Sequence, residues 1–345
     1  MRGSCRCGTF EAPQLYRFDL PVYVAPNTTA ATASQEGVFL FIGVLSAGQN
    51  LQRRLAVREA WVTDGQITNV SVVRFVLSKD EWTPQVQQEA DSFHDIVFVE
   101  EKTSYDSLLY KSYFVLEHAV TAHSARFVLK TDDDAFVNVR PLIRQLRLLC
   151  ESADCRNERL YIGQMARDAP VQLDPKHKWN NVAFYNHTGL KQYPNYMMGG
   201  GYVLSGDVAT ALVKLHHMIS LKFTPIEDAT IAVWLMAMDV RQVDHPRFHS
   251  WAVPCCFKQP RWSGGQPLSV RLQLTDETEA SVCGGDPWLL LHKIDQPFKM
   301  TFVGRRFREC EAEAEDPNQV PLSIAADVDG DKVDMAGETA STSSV

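Results

Sequence analysis

The chain has 345 residues, room for one large domain or two small ones, and 45% of them are hydrophobic, enough for a sizeable buried core. Its formal net charge is −8, but the run from Glu311 to Val345 holds nine acidic residues against one basic residue, Lys332, and so carries all of that charge. The remaining body is nearly neutral and lacks the basic face that nucleic-acid binding requires.

Residues 1–36 hold scattered prolines and a Thr/Ala/Ser-rich run at Asn27–Ser34, which reads as a stem or linker without its own core. The pattern then changes. Val38–Ala47 is an apolar run of the kind that forms a buried strand. Helical spacing follows over Leu51–Trp61, a strand over Ser71–Ser78, a polar helix over Thr83–Phe93 and a strand over Asp95–Val99. An amphipathic helix over Ser107–Thr121 leads to a fourth strand at Ala125–Lys130. Strands alternating with helices predict an α/β fold, with a mostly parallel sheet flanked by helices. Beyond a short link, Asp134–Val139, helices are expected at Pro141–Cys150, Asp207–Met218 and Ala229–Met236, and strands at Leu160–Met165 and Gly201–Ser205. The tail from 311 to 345 is acidic and poor in aromatics, and is expected to be disordered.

Ligands of such sheets sit beyond the carboxyl ends of the strands, which here directs attention to Asp132-Asp133-Asp134. Adjacent carboxylates repel and raise one another's pKa unless a cation relieves them. Oxygen ligands suit magnesium or manganese, and such an ion could bridge a diphosphate. A solvated acidic turn is the plain alternative. Glu227-Asp228 precedes an apolar helix, where Asp is usually a cap. It could instead take a proton from an acceptor hydroxyl, although the helix dipole lowers its pKa and limits its basicity unless the site is dry. Gly199-Gly200-Gly201 ahead of a strand allows a close backbone approach or a tight turn. His292 ends the apolar run Leu289–Leu291, as a core histidine or as the imidazole that an all-carboxylate metal site has room for.

Taken in order, these segments resemble the β-1,3-galactosyltransferase family, glycosyltransferase family 31. Arg53–Trp61 is similar to its RRxxIRxTW segment, and Tyr105–Leu108 with Lys111 to its YxNLxxK segment. Phe127–Val137 is similar to its KxDDDxFV strand and acidic motif. Tyr193–Tyr196 with Gly199–Ser205 is similar to YPxYxxGxGYVLS. Glu227-Asp228 matches its EDV motif, with Ala229 in place of Val. Asp239-Val240 and Asp244–Phe248 look closest to the member that builds the proteoglycan linker. His292-Lys293 and Cys310 also have counterparts. The cover is roughly residues 38–310.

The resemblance implies a GT-A fold over residues 37–310, a UDP-sugar donor with UDP-galactose favoured, a manganese ion (Mn2+), a glycan or glycoprotein acceptor and inversion at the anomeric carbon. It implies metal ligation by Asp132, Asp134 and His292, with Asp134 the more direct of the two carboxylates, and Asp228 as the catalytic base. Arg53, Arg58, Lys111 and Asp133 become candidates for donor contacts or support. Trp179, Gly199, Gly200, Gly201 and Glu227 become candidates for the acceptor side. N-acetylglucosamine or N-acetylgalactosamine is the alternative donor sugar. A non-catalytic glycan-binding homologue ranks lower, and a two-metal hydrolase last, since it would need more carboxylates and imidazoles than one acidic motif and one His.

Family members are usually single-pass Golgi proteins facing the lumen. This chain has no apolar stretch of about 18 residues to span a membrane, and Met1–Phe10 lacks a signal-peptide core. Sequons at Asn27, Asn69 and Asn186 and an even count of eight cysteines lean towards a secretory compartment. Cys150 with Cys155 could close a small loop and Cys283 with Cys310 a larger one, while Cys5 and Cys7 stay unassigned and adjacent Cys255 and Cys256 are expected to find separate partners.

Overall fold

The computed structural model describes residues 37–62, 70–100, 108–221, 224–250, 262–263, 266–267 and 287–314. The sequons at Asn27 and Asn69 lie outside these residues, as do Cys5, Cys7, Cys255, Cys256 and Cys283.

The described residues open as three β-α steps and a fourth strand. They are β1 (Leu40–Leu45) and α1 (Leu51–Val57), which continues into a π turn at Arg58–Val62; β2 (Ser71–Ser78) and α2 (Pro84–Phe93); β3 (Ile96–Val99) and α3 (Leu108–His123); and β4 (Phe127–Asp132). Local chemistry sets several of these ends. Thr83 caps α2 by accepting from the Val86 N–H at 3.2 Å, with Pro84 at the first helical position, and His94 closes it in the left-handed conformation. The second half runs β5 (Phe136–Val137), α4 (Val139–Leu149), β6 (Leu160–Ala166), α5 (Val182–Thr188), β7 (Tyr196–Ser205), α6 (Gly206–Ile219), α7 (Glu227–Leu235), β8 (Arg241–Asp244) and β9 (Phe248–His249). Trp262–Ser263 (β10) pairs antiparallel with Gln266–Pro267 (β11). Leu290–Leu291 (β12) and the helix Pro297–Ala314 (α8) follow, so the last helix runs past position 310, where the tail was expected to begin.

The main sheet has seven strands in the order β3-β2-β1-β4-β7-β6-β8. Strands β1 to β4 run parallel, β7 runs antiparallel to both β4 and β6, and β8 is parallel to β6. The expected α/β class and mostly parallel sheet are present. Strand β1 is buried along its whole length, as a central parallel strand covered on both faces must be. Its Leu40, Ile42 and Val44 enter one core, shared with α1, α4 and α8, while Phe41 and Leu45 enter the other, shared with α3, α6 and α7. This is the period-two alternation of a strand, and each such buried side chain contributes roughly 1.5–3 kcal/mol.

A three-stranded sheet, β5-β12-β9, lies beside the end of β4: β12 runs antiparallel to β5 and parallel to β9. It brings His292, two residues past Leu290, back to the acidic loop. The expected link Asp134–Val139 therefore contains a strand. The glycines expected to precede β7 sit inside it, because the strand starts at Tyr196 and Gly201 is in register with Thr131. Cys150 and Cys155 form a disulfide with Cα atoms 5.1 Å apart. Cys310 is also disulfide-bonded; Cys283, its expected partner, is among the residues not described.

Candidate active site

Asp132 ends β4, and Asp133 and Asp134 form the turn that follows. Their side chains diverge. Asp133 points back beneath the β1 end, where Oδ2 accepts from Ser46 Oγ at 2.7 Å and Asn50 Nδ2 at 2.8 Å, and Oδ1 accepts from Arg53 at 3.1 Å. Burial outweighs these donors and raises its pKa. Asp132 and Asp134 face His292 instead. His292 Nε2 stands 3.1 Å from Asp134 Oδ1 and 3.6 Å from Asp132 Oδ2.

The other ring nitrogen, Nδ1, lies 2.6 Å from the Ser250 carbonyl, which can only accept. Nδ1 therefore carries a proton, so it is Nε2 that faces the two carboxylates, and its lone pair is the one free for a cation whenever the ring is neutral. One ligand atom from each of Asp132, Asp134 and His292 lies within 4.8 Å of the others. Two carboxylate oxygens and one imidazole nitrogen, with the imidazole oriented from behind, form a donor set that fits a divalent ion such as manganese. The same contacts shape the titrations. Burial would lower His292, but Asp134 and Asp132 hold it above its ordinary value. Burial would raise Asp134, but His292 and then Arg53 hold it below.

Asp228 lies in the first turn of α7. Its Oδ2 accepts from the Gly199 N–H at 2.8 Å and its Oδ1 from its neighbour's N–H, that of Ala229, at 2.9 Å. The helix start was expected to lower its pKa. Here burial, and after it the charge of adjacent Glu227, outweigh those two N–H groups and Lys130 and push it up to about 7. The condition of a dry site thus decides the sign.

Glu227 is itself buried and accepts from Tyr202 Oη at 2.7 Å. The three glycines are where other groups press onto β7. A Cβ at Gly199 would lie 3.2 Å from Asp228 Oδ2, one at Gly200 only 2.3 Å from His292 Nδ1, and one at Gly201 2.2 Å from a Leu290 methyl. Small residues on one strand thus let His292 and the carboxylates of α7 approach the sheet together.

The remaining candidates are placed less directly. Arg53 reaches Asp133 and stands 4.0 Å from Asp134. Arg58 is not brought to the cluster: its guanidinium is engaged by Asp95 and Glu89, each at 2.8 Å, and lies over Phe93. Lys111 is buried and donates to the Ser46 carbonyl at 2.8 Å and Glu81 at 2.9 Å, bracing the β1 end. Trp179 is 39% exposed on the loop before α5, near the rings of His177 and Lys178's ammonium. Asn186 is exposed on α5.

Three residues outside the expected set complete the arrangement. Arg54 is fully buried and joins Glu89 to Ser46 Oγ, at 2.6 Å and 3.0 Å. Ser250 sets the His292 tautomer. Lys130 is 3% exposed and donates to the Gly199 carbonyl at 2.6 Å, Asp132 Oδ1 at 3.0 Å and Glu227 Oε2 at 3.4 Å. Its sequence signal is the lone cation closing the apolar run Phe127–Leu129.

A family model described as "Galactosyltransferase" matches residues 52–246, more than half of the chain. The chain belongs to the galactosyltransferase family. Among its relatives, hydroxyproline O-galactosyltransferase GALT5 of Arabidopsis thaliana is 34% identical over 203 residues, covering 57% of this chain and 29% of that protein. Beta-1,3-galactosyltransferase 1 of Mus musculus is 28% identical over 221 residues, covering 62% of this chain and 64% of that galactosyltransferase. N-acetyllactosaminide beta-1,3-N-acetylglucosaminyltransferase 2 of Mus musculus is 28% identical over 224 residues, covering 62% and 54%. The chain thus spans less than a third of the length of the plant galactosyltransferase and under two thirds of the mouse enzymes. These relatives do not single out the proteoglycan-linker type suggested by Asp244–Phe248.

Proposed function

We propose that this galactosyltransferase-family chain transfers galactose from UDP-galactose to a hydroxyl of a glycan or glycoprotein, in β-1,3 linkage and with inversion. The observation that carries this reading is the pairing of a three-ligand cation site with a separate carboxylate, Asp228, whose pKa is pushed up to about 7. A general base works best when its pKa is near the working pH, and its two backbone donors hold Asp228 in a defined orientation.

In this reading Asp132, Asp134 and His292 hold the cation, manganese in our assignment, which when bound neutralises charge on the diphosphate of the leaving group. Arg53 adds positive charge on the same side. Asp228 accepts the proton of the acceptor hydroxyl as its oxygen bonds to the anomeric carbon and the bond to the diphosphate oxygen breaks. A single displacement inverts the carbon, so no enzyme nucleophile is required. Tyr193 and Tyr196 lie close enough to Asp228 for its charge to add to burial in raising their phenols, and we assign them with Trp179 to the acceptor side.

UDP release by the purified chain, with manganese or EDTA, across UDP-galactose, UDP-N-acetylglucosamine and UDP-N-acetylgalactosamine tests the reading. EDTA-sensitive release from UDP-galactose, stimulated by a β-galactoside, is expected. Preference for UDP-N-acetylglucosamine would move the chain to the second reading, which its mouse N-acetylglucosaminyltransferase relative favours. Manganese-dependent UDP binding with no transfer to any acceptor tried would favour a glycan-binding role.

We place the protein in the Golgi lumen. The Cys150–Cys155 disulfide fits an oxidising compartment. Among the described residues, no helix is long and apolar enough to cross a membrane.

A further inference from the structure

Strand alternation places Val128, Lys130 and Asp132 on one face of β4. Burying an ammonium there is costly unless each of its three N–H groups finds a partner. Lys130 finds all three, and they belong to different parts of the site. Asp132 Oδ1 is a carboxylate oxygen of the cation site, the Gly199 carbonyl belongs to β7, and Glu227 Oε2 belongs to the start of α7.

Two consequences follow from the geometry. With Oδ1 of Asp132 held by Lys130, Oδ2 is the oxygen turned to His292 Nε2, at 3.6 Å. The Gly199 residue whose carbonyl accepts from Lys130 also donates its own N–H to Asp228 Oδ2, at 2.6 Å and 2.8 Å respectively. Asp132, Lys130, Gly199 and Asp228 thus form one continuous chain of polar contacts, and Glu227 joins it from the side.

We propose that Lys130 is a positioning residue for the transfer reaction, locking the cation-site carboxylate Asp132 and the base Asp228 into one unit. It rests on the reading of Asp228 as the base. Lys130 touches neither donor nor acceptor in this assignment. It acts by fixing which oxygen of Asp132 faces His292 and by anchoring, through its carbonyl, the glycine whose N–H orients Asp228, while its charge offsets that of Glu227 beside the base. Charged and titratable groups around Asp228 are Glu227 on its own helix, Lys130 from β4, Tyr161 from β6, Tyr196 from β7 and Tyr193 just before it. The three phenols are raised above their ordinary range, so they stay neutral across the acid limb of the rate profile.

The test compares the whole chain with Lys130→Met, Glu227→Gln, the double variant and Asp228→Asn. Turnover, calorimetric binding of UDP with manganese, and the pH profile of kcat/KM are measured for each. Lys130→Met is expected to lose about 10- to 100-fold in kcat, the range for outer-sphere orienting groups. Its acid limb should move up by about one pH unit, since a cation beside the base is removed. A role confined to stability would leave that limb in place, so an unmoved limb overturns the proposal whatever happens to affinity. If Lys130→Met does not fold, the Glu227→Gln background keeps the pocket from holding an uncompensated carboxylate. The double variant should then show its limb above that of Glu227→Gln, and coincident limbs overturn the proposal. Asp228→Asn separates the two readings. Wild-type turnover in that variant removes the base assignment itself, whereas a dead Asp228→Asn beside an unmoved Lys130→Met limb removes only the role of Lys130.

Discussion

The loop after β4 and the first turn of α7 each present a carboxylate, and the two are held in opposite ways. Asp134 meets an imidazole at 3.1 Å and is kept below its ordinary pKa despite burial. Asp228 meets two backbone N–H groups and a second carboxylate, and burial with Glu227 pushes it up to about 7. One aspartate is built to stay ionised beside cations and the other to take up a proton. The difference teaches that role follows from what faces the carboxylate, not from the residue type or from its place at an element end.

The largest expected effect breaks the base half alone. Asp228→Asn should lower transfer by about 10²–10⁴-fold, the usual contribution of a general base, while UDP–manganese affinity stays near wild type. Asp134→Ala should break the other half. Manganese-dependent UDP binding is expected to fall beyond the roughly 10- to 100-fold typical of outer-sphere changes, and transfer with it. Calorimetry on both variants separates the halves, and retained binding in Asp134→Ala would sink its ligand role.

A milder change sharpens the same contrast. Gly200→Ala puts a Cβ 2.3 Å from His292 Nδ1 and 2.7 Å from the Ser250 carbonyl oxygen, so the contact between the two is expected to open as the ring gives way. Manganese affinity is expected to fall by about 10- to 100-fold while the acid limb set by Asp228 stays where it is. A shifted limb with normal metal affinity would show that the strand, rather than the ring, had yielded.

The pH dependence has a definite sign. Asp228 is raised from 3.8 to about 7 on folding, so between these values the folded chain holds more protons there than the unfolded chain. Stability from this group therefore falls as pH rises through that window, and transfer should fall as pH drops below about 7. Asp228→Asn removes the cost of the buried charge. Its Tm is expected to exceed wild type at pH 8, by about 2–4 °C per kcal/mol recovered. The advantage should vanish below roughly pH 4. Equal Tm values at both pH values would mean that the site is wetter than its burial implies.

The smallest effect on chemistry is expected from the disulfide, which lies beside Phe39 and Arg126, at the starts of β1 and β4, and away from the acidic loop. Replacing Cys150 and Cys155 by Ala should cost about 2 kcal/mol of stability, the short-loop end of the usual range. Both halves of the site should keep their binding and their pH profile.

Much of this was legible in the chain. The strand at Ser71–Ser78, the fourth strand, expected at Ala125–Lys130 and found at Phe127–Asp132, and the helices α2, α3 and α6 follow from apolar periodicity and from end signals such as Thr83-Pro84. The small pieces β5, β9 and β12 were not legible. Two-residue strands carry no periodicity, and β8, Arg-Gln-Val-Asp at the sheet edge, is too polar to announce itself. Among site residues, Asp132, Asp134, Asp228 and His292 stand out by type and by place at element ends. Lys130 and Ser250 did not stand out as parts of the site. A lysine closing a strand is ordinary, and a carbonyl that orients a histidine can come from any residue.

The sequence by itself determined the α/β class, the succession of strands and helices along the parallel half, the family and the candidate residues that stand out by type, because these rest on local pattern and on motifs in order. Only the tertiary structure decided which residues meet. The return of β12 beside β4 brings His292 to the acidic loop, the glycines of β7 let α7 come in close, and Lys130 finds partners from three segments. Only that packing decided the charge states as well. The same helix start that lowers a solvated aspartate holds a raised one here, because burial and a neighbouring carboxylate outweigh two backbone N–H groups.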